Sequence, residues 1–82
     1  MKKAKLTWFE TEYISNDATV QPVLVDGVLL YTLFENGYNY IFCSILELMQ
    51  YIYGGERTYI ETFETEDEMV TYLERNLFAD KK

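Results

Sequence analysis

The stretch from Val20 to Phe42 (VQPVLVDGVLLYTLFENGYNYIF) most constrains the fold of this 82-residue chain. The dipeptides Asp26-Gly27 and Asn36-Gly37 separate three runs rich in Val, Leu, Tyr and Phe. A two-residue hairpin turn needs positive φ, which Asp and Asn tolerate and Gly adopts without steric cost. The pattern therefore predicts a three-stranded antiparallel meander, with strands at 20–25, 28–34 and 38–42.

Further elements are predicted on both sides of this meander. Alternating side chains predict a strand at Leu6–Ile14 before it and another at Arg57–Phe63 after it. Ser44–Glu47 and Thr65–Glu68 match the capping box and predict the N-termini of two helices, the first of which ends at Gly54-Gly55. We therefore expect one α+β domain over residues 1–82, frayed at 1–4 and 79–82. Its expected architecture is a mainly antiparallel sheet of about five strands with two helices on one face, in the order ββββαβα.

Two of these strands carry additional predictions. Pro22 lacks a ladder donor, so the strand at 20–25 is expected at a sheet edge, or with Pro22 directed away from its neighbour. The strand at 28–34 is apolar on both faces, which predicts a central position with cover on each side. Because both helices are expected on one face, the other face would need a second copy of the chain or a partner to cover it.

The charge of the chain restricts its partners. The net charge is −7, and five of the seven basic residues lie near the termini. Between Leu6 and Asp80 only Arg57 and Arg75 oppose all 14 acidic residues, so that span carries −12. A body this acidic is expected to repel nucleic acid and anionic membranes and to attract basic protein surfaces. The alternative is that the acidity serves solubility alone.

Few kinds of chemistry are available to the chain. It has no histidine, the commonest general base near neutral pH, and Cys43 has neither a histidine to activate it nor a second thiol. No zinc-ligand set, phosphate-binding glycine loop or EF-hand spacing occurs. No apolar run is long enough for a membrane span, and the N-terminus lacks the apolar core of a signal peptide. The sequence thus predicts a cytoplasmic protein that is not an enzyme and uses no metal or cofactor.

Two groups of residues are candidate partner contacts. Glu10 and Glu12 continue the face of the first strand that carries Leu6 and Trp8, and carboxylates spaced about 6.6 to 6.8 Å apart can hold two basic groups. The densest acidic run is a candidate divalent-cation site or a phosphate-like patch with Trp and Tyr side chains as apolar anchors, and it consists of Glu61, Glu64, Glu66, Asp67 and Glu68. Alternatives exist for both groups, since charges protect an exposed edge strand and acids in a first helical turn complement the helix dipole. The candidate contacts are Trp8, Glu10, Glu12, Glu61, Glu64 and Asp67.

Three functions fit these features. The leading hypothesis is a small acidic protein-interaction module, such as a phage or mobile-element inhibitor that mimics DNA. Its carboxylates would compete for a basic, nucleic-acid-binding protein surface. The alternative is a homodimeric structural or accessory domain whose acidity serves only solubility. The third is a small-ligand-binding domain, which requires a pocket that sequence periodicity cannot reveal.

Overall fold

The computed structural model describes residues 3–15 and 17–75 of the chain. These residues form β1 (Leu6–Trp8), β2 (Glu12–Ser15), β3 (Ala18–Val25), β4 (Val28–Glu35), β5 (Tyr38–Phe42), α1 (Ile45–Gly54), β6 (Glu61–Phe63) and α2 (Glu66–Glu74). The strands build one antiparallel sheet in the order β1-β3-β4-β5-β6, and β2 also pairs with β3. The predicted α+β class, the antiparallel sheet and the ββββαβα order are confirmed, with the first strand divided into β1 and β2.

Both predicted hairpin turns connect long strands. Asp26 and Gly27 have φ of 49° and 85°, and Asn36 and Gly37 have φ of 51° and 84°. Positive φ at both central residues defines a type I′ turn, whose twist matches that of the flanking strands. The two turns therefore fix the β3–β4 and β4–β5 registers, and with them the side chains that share a face.

The predicted first strand is interrupted where it passes Pro22. Trp8 lies opposite Val23 and Glu12 lies opposite Val20. Three residues of the first strand thus face two residues of β3, which is the arrangement of a β-bulge. The extra residue reverses the alternation of side chains between β1 and β2.

The interruption has a hydrogen-bonding cause. The Phe9 N–H donates to the Pro22 carbonyl at 3.0 Å. In a hydrogen-bonded antiparallel pair, the residue opposite Phe9 would also donate its own N–H to the Phe9 carbonyl, but proline has no N–H. The side-chain amide nitrogen of Gln21 donates to the Phe9 carbonyl at 3.0 Å instead. The edge position predicted for this strand is wrong, because β3 is an interior strand. The backbone of Pro22 points away from β4 and towards the interruption between β1 and β2, where the Gln21 side chain replaces the missing donor.

The two helices cover opposite faces of the sheet, which corrects the prediction that both lie on one face. The α2 face is the side on which Met69 and Leu73 join a buried cluster with Val23, Val25, Leu30 and Ile41. The α1 face is the side on which Leu48 joins a second cluster with Ala18, Val20, Leu33 and Phe42. Because β4 is apolar on both sides, each side needs cover, and one helix on each face supplies it. The central position predicted for this strand is confirmed.

Both helices begin at the predicted capping residues. Ser44 Oγ accepts a hydrogen bond from the Glu47 N–H, and Thr65 Oγ1 accepts one from the Glu68 N–H, each at 3.2 Å. Gly55 ends α1 in the left-handed conformation, with φ of 69°. Local sequence signals therefore set where α1 and α2 begin, and the sheet register sets which face each one covers.

The ends of the fold depart from the prediction in detail. The strand predicted at 57–63 is shorter, since β6 comprises only Glu61–Phe63. Residues 79–82, predicted to fray, lie outside the described residues, as do residues 1 and 2. In the described part of the N-terminal segment, the Ala4 N–H donates to the Glu74 carbonyl at 2.8 Å. Ala4 therefore lies beside the last turn of α2.

Candidate functional site

The predicted partner contacts lie in two groups at opposite edges of the sheet. Trp8, Glu10 and Glu12 belong to the edge formed by β1 and β2. The second group lies at the other edge, on β6, on the connection after it and in the first turn of α2. Four inter-strand spacings of about 4.8 Å separate the two edges. The residues of this second group are Glu61, Glu64 and Asp67.

The bulge changes the face on which one of these carboxylates lies. Glu12 pairs with Val20 on the α1 face, whereas Trp8 pairs with Val23 on the α2 face. The prediction that Glu12 continues the face of Trp8 is wrong, because the extra residue between them reverses the alternation. Glu10 lies within the bulge, and both carboxylates are exposed.

Trp8 and Glu61 are the least exposed of the predicted contacts. Trp8 is half-buried and packs against the α2-face cluster, so part of its surface belongs to the core. Glu61 is half-buried opposite Ile41, and its Oε1 accepts a hydrogen bond from the Thr62 N–H at 3.2 Å. Both side chains therefore contribute to the stability of the fold, in addition to any contact that they make with a partner.

The acidic run at the start of α2 has mixed roles. Glu68 Oε1 accepts a hydrogen bond from Thr65 Oγ1 at 3.0 Å, so Glu68 belongs to the capping box. Glu66 and Asp67 lie in the same first turn, where negative charge complements the helix dipole. Glu64 precedes the cap, and its side chain is exposed, as is that of Asp67. Helix capping thus accounts for Glu68 and leaves Glu64 and Asp67 accessible to a partner.

A polar cleft of about 250 Å³ opens on the α2 face. Along this face β3 changes from Val25 and Val23 to Gln21 and Thr19, and the start of α2 forms a wall of the cleft. The apolar end of the face is buried by α2, whereas the polar end remains open. Phe34 and Met69 are apolar walls, and the polar lining consists of Thr11, Thr19, Gln21, Thr32, Asn39 and Glu66.

Asn39 is one of the two most buried polar residues of the cleft. Its residue surface is only 6% exposed, and it lies between Phe34 and Phe63 in the sheet register. Its side-chain amide forms no hydrogen bond with another residue in the part of the chain that the structure describes. Its amide atoms are not among the fully buried, unpartnered polar atoms of the described residues, so they open to solvent in the cleft and are accessible to a molecule that enters it.

The outer side of α1 carries an apolar stripe, formed by Ile45, Leu46, Met49 and Tyr53. At 100° per residue these four side chains fall within an arc of about 100°. Leu46 is 64% exposed and Tyr53 is 73% exposed. Surface helices normally present polar side chains on their outer side, so the stripe is a second candidate contact surface.

Most of the central tyrosines belong to the core. Tyr40, Tyr51 and Tyr59 contact one another and Phe42 on the α1 face, with ring centroids 5.1 to 6.5 Å apart. The Tyr51 hydroxyl donates to Glu35 Oε1 at 3.2 Å. Burial, and then the hydrogen bonds and charges of Tyr40 and Glu35, raise the pKa of Tyr51 far above its ordinary value of 10.0. These rings stabilise the α1 face of the fold.

Sequence reasoning did not identify the residues of the cleft. A signal was present, since Thr19, Gln21, Thr32 and Asn39 interrupt the apolar positions of three strands. Each of these polar residues is ordinary within its own strand. Only the register, which aligns the interruptions at one end of one face, shows that they form a common surface.

In residues 3–15 and 17–75, no helix is long and apolar enough to cross a membrane. The same residues contain no group of three or more histidine, cysteine or carboxylate side chains that could hold a metal ion. Comparison of the chain with protein-family models, curated proteins and solved structures finds no match. The function is therefore inferred from the carboxylates, the cleft and the apolar stripe.

Proposed function

We propose that this protein is a non-catalytic interaction module whose exposed carboxylates bind a basic protein. The observation that carries the proposal is that these carboxylates are not neutralised internally. Glu10, Glu12, Glu64 and Asp67 are exposed, and none has a cationic partner within the described residues. An ion pair at 3.9 Å, between Lys3 and Glu74, lies at the other end of α2. Uncompensated surface charge attracts an oppositely charged partner and accelerates its association.

The carboxylates form two separate binding surfaces. The β2 group consists of Glu10 and Glu12, and the α2 group consists of Glu64 and Asp67. The α2 group adjoins the polar cleft through Glu66, which lines it. The β2 group adjoins the same cleft through Thr11. A basic partner that lies across the cleft could therefore contact the α2 group, whereas Glu12 lies on the opposite face of the sheet and would bind such a partner only around the edge.

The affinity for a fluorescently labelled arginine-rich peptide, measured by anisotropy at increasing salt, tests this proposal. Glu10→Lys/Glu12→Lys and Glu64→Lys/Asp67→Lys each reverse one group. We expect the affinity to fall with salt, because exposed charges are screened over about 10 Å at 0.1 M ionic strength. We also expect at least one double variant to lose more affinity per reversed charge than a control variant.

Glu56→Lys is that control, since Glu56 is exposed and lies beyond the end of α1, outside both groups. Equal losses per reversed charge in all three variants would indicate diffuse attraction to an acidic protein. That result would contradict a defined binding surface.

In its most specific form, we propose an inhibitor that mimics DNA on a nucleic-acid-binding protein. The charge of −12 between Leu6 and Asp80 supports this form, because a nucleic-acid-binding surface is selected to hold dense negative charge. A basic partner that binds DNA should then release labelled DNA when this protein is added. Release that is unchanged by Glu64→Lys/Asp67→Lys and by Glu10→Lys/Glu12→Lys would exclude the carboxylates as the competing groups.

The α1 stripe favours a second candidate function, a homodimeric accessory domain. Association through Leu46 and Met49 would bury apolar area and would survive or strengthen at high salt. Light scattering after size-exclusion chromatography should then show a dimer that Leu46→Lys/Met49→Lys converts to a monomer. Gln50→Lys, which adds charge to α1 outside the stripe, should leave the dimer intact. A monomeric native protein excludes this candidate.

A further inference from the structure

We propose that the polar cleft binds a guanidinium group, such as that of an arginine side chain on the basic partner. This inference rests on the proposed function for the identity of the partner, but the cleft itself is argued from its own geometry. Its central residue is Asn39, which is 6% exposed and whose side-chain amide forms no hydrogen bond within the described residues. The amide atoms reach the open cleft, where a polar ligand can replace water as their hydrogen-bond partner.

The cleft lining offers donors, on the Asn39 amide and the Thr11 and Thr19 hydroxyls, as well as acceptors for a ligand that donates. The Thr32 hydroxyl already donates to the Gln21 carbonyl at 2.7 Å, and the Gln21 side-chain nitrogen donates to the Phe9 carbonyl at 3.0 Å. The side-chain oxygens of Gln21 and Asn39 and the Glu66 carboxylate remain as acceptors on the cleft lining. Because Glu66 brings a negative charge, an anionic ligand is disfavoured and a cation is favoured.

The walls of the cleft favour a guanidinium over an ammonium ion. Phe34 and Met69 offer apolar surface beside the acceptors, and Phe34 is partly exposed. A guanidinium is planar, carries five N–H donors and stacks on aromatic rings, whereas an ammonium is a strongly hydrated point charge. Amide and carboxylate acceptors on different strands and on α2 suit the several directions in which a guanidinium donates. The volume of about 250 Å³ accommodates this group with part of its aliphatic stem.

The test is an NMR titration of the ¹⁵N-labelled full chain with Nα-acetyl-arginine methylamide. We expect saturable shifts of the Asn39 and Gln21 side-chain amide signals. The citrulline analogue has the same shape without the charge, and it should bind about tenfold more weakly. The lysine analogue should also bind more weakly, because it cannot stack or donate in a plane. Equal binding of the arginine and citrulline analogues, or absence of shifts at the cleft, would overturn the proposal.

Two variants locate the binding in the cleft. Glu66→Gln removes the lining carboxylate and should weaken the arginine analogue about threefold, as for one partly exposed charge pair. Glu56→Gln is the matched control, since it removes the same charge from an exposed residue outside the cleft and both carboxylate groups. Asn39→Leu keeps a similar volume and should abolish the shifts of Gln21 while the protein stays folded, as its amide spectrum will show. Equal weakening by Glu66→Gln and Glu56→Gln would show that only the net charge matters and would overturn the site.

The outcomes separate this inference from the proposed function. If the arginine analogue does not bind but a basic protein is held in a salt-sensitive way, the cleft proposal fails and the interaction module stands. If the analogue binds in the cleft and the basic peptide shows no defined surface, the proposed function fails and the cleft remains a cation site.

Discussion

Gln21 contributes to the fold and to the cleft through two different atoms. Its side-chain nitrogen satisfies the Phe9 carbonyl that Pro22 cannot reach with an N–H, while its side-chain oxygen remains on the cleft lining. The same bond fixes the amide so that this oxygen is presented in one orientation. A residue that compensates for a proline in an interior strand therefore also shapes the candidate site.

We predict that Gln21→Ala lowers the free energy of unfolding by about 1 kcal/mol, the usual contribution of one hydrogen bond to stability. In a Pro22→Ala background the cost should be smaller, because the introduced alanine supplies a backbone N–H opposite Phe9. Urea unfolding of the four proteins in this cycle measures the difference. Equal costs in both backgrounds would contradict the replacement of the proline donor by Gln21.

Tyr51 gives a prediction about alkaline pH. Its pKa in the folded protein is raised above the ordinary value of 10.0, chiefly by burial. The unfolded chain therefore loses this proton first, and the stability present below pH 10.0 is lost as the pH rises above that value. Unfolding free energies measured on both sides of pH 10.0 should fall more steeply for the native protein than for Tyr51→Phe. Equal pH dependence of the unfolding free energy in the two proteins would show that Tyr51 does not cause the loss of stability.

At the scale of elements, α2 closes the core on one face and forms one wall of the cleft. Its position depends on Thr65, whose hydroxyl accepts from the Glu68 N–H and donates to the Glu68 carboxylate. We predict that Thr65→Ala costs about 1 kcal/mol of unfolding free energy. Thr71→Ala is the control, because Thr71 is exposed in the middle of the same helix and alanine is the better helix former. A comparable loss in the control would contradict a specific effect of the cap.

The sequence predicts elements well where a local signal decides them. The turns at Asp26-Gly27 and Asn36-Gly37, and the caps at Ser44 and Thr65, depend on φ preferences and short-range hydrogen bonds. The faces covered by the two helices could not be predicted in this way. A strand that is apolar on both sides, as β4 is, fits helices on opposite faces as well as one helical layer with an external partner. The bulge between β1 and β2 could not be predicted from the residues of those two strands, because it results from Pro22 on β3.

At the scale of the whole molecule, excess negative charge opposes folding. The net charge is −7, and exposed carboxylates on both sheet edges have no cationic partner within the described residues. Mutual repulsion destabilises a compact state and is screened by salt. We predict that moderate concentrations of NaCl raise the urea midpoint of the native protein, and raise it less in Glu64→Lys/Asp67→Lys. A midpoint that falls or stays constant with salt would show that repulsion is not significant.

The candidate site was only partly predictable at this scale. The exposure of Glu10, Glu12, Glu64 and Asp67 follows from their charge, but their division between two sheet edges depends on the strand order. The cleft depends on the alignment of polar residues from three strands with the start of α2, and such an alignment is set by the tertiary register rather than by local preference.

Capture of partners from a lysate of the source, at low and high salt, tests the central claim most directly. The tagged native protein is compared with Glu64→Lys/Asp67→Lys, with Glu10→Lys/Glu12→Lys and with the control Glu56→Lys, all shown to be folded. We predict that the native protein and the control retain a basic protein that mass spectrometry identifies, that high salt releases it, and that at least one double variant fails to retain it. Absence of a basic partner, or capture that is insensitive to both salt and charge reversal, would contradict the claim that the carboxylates bind a basic protein.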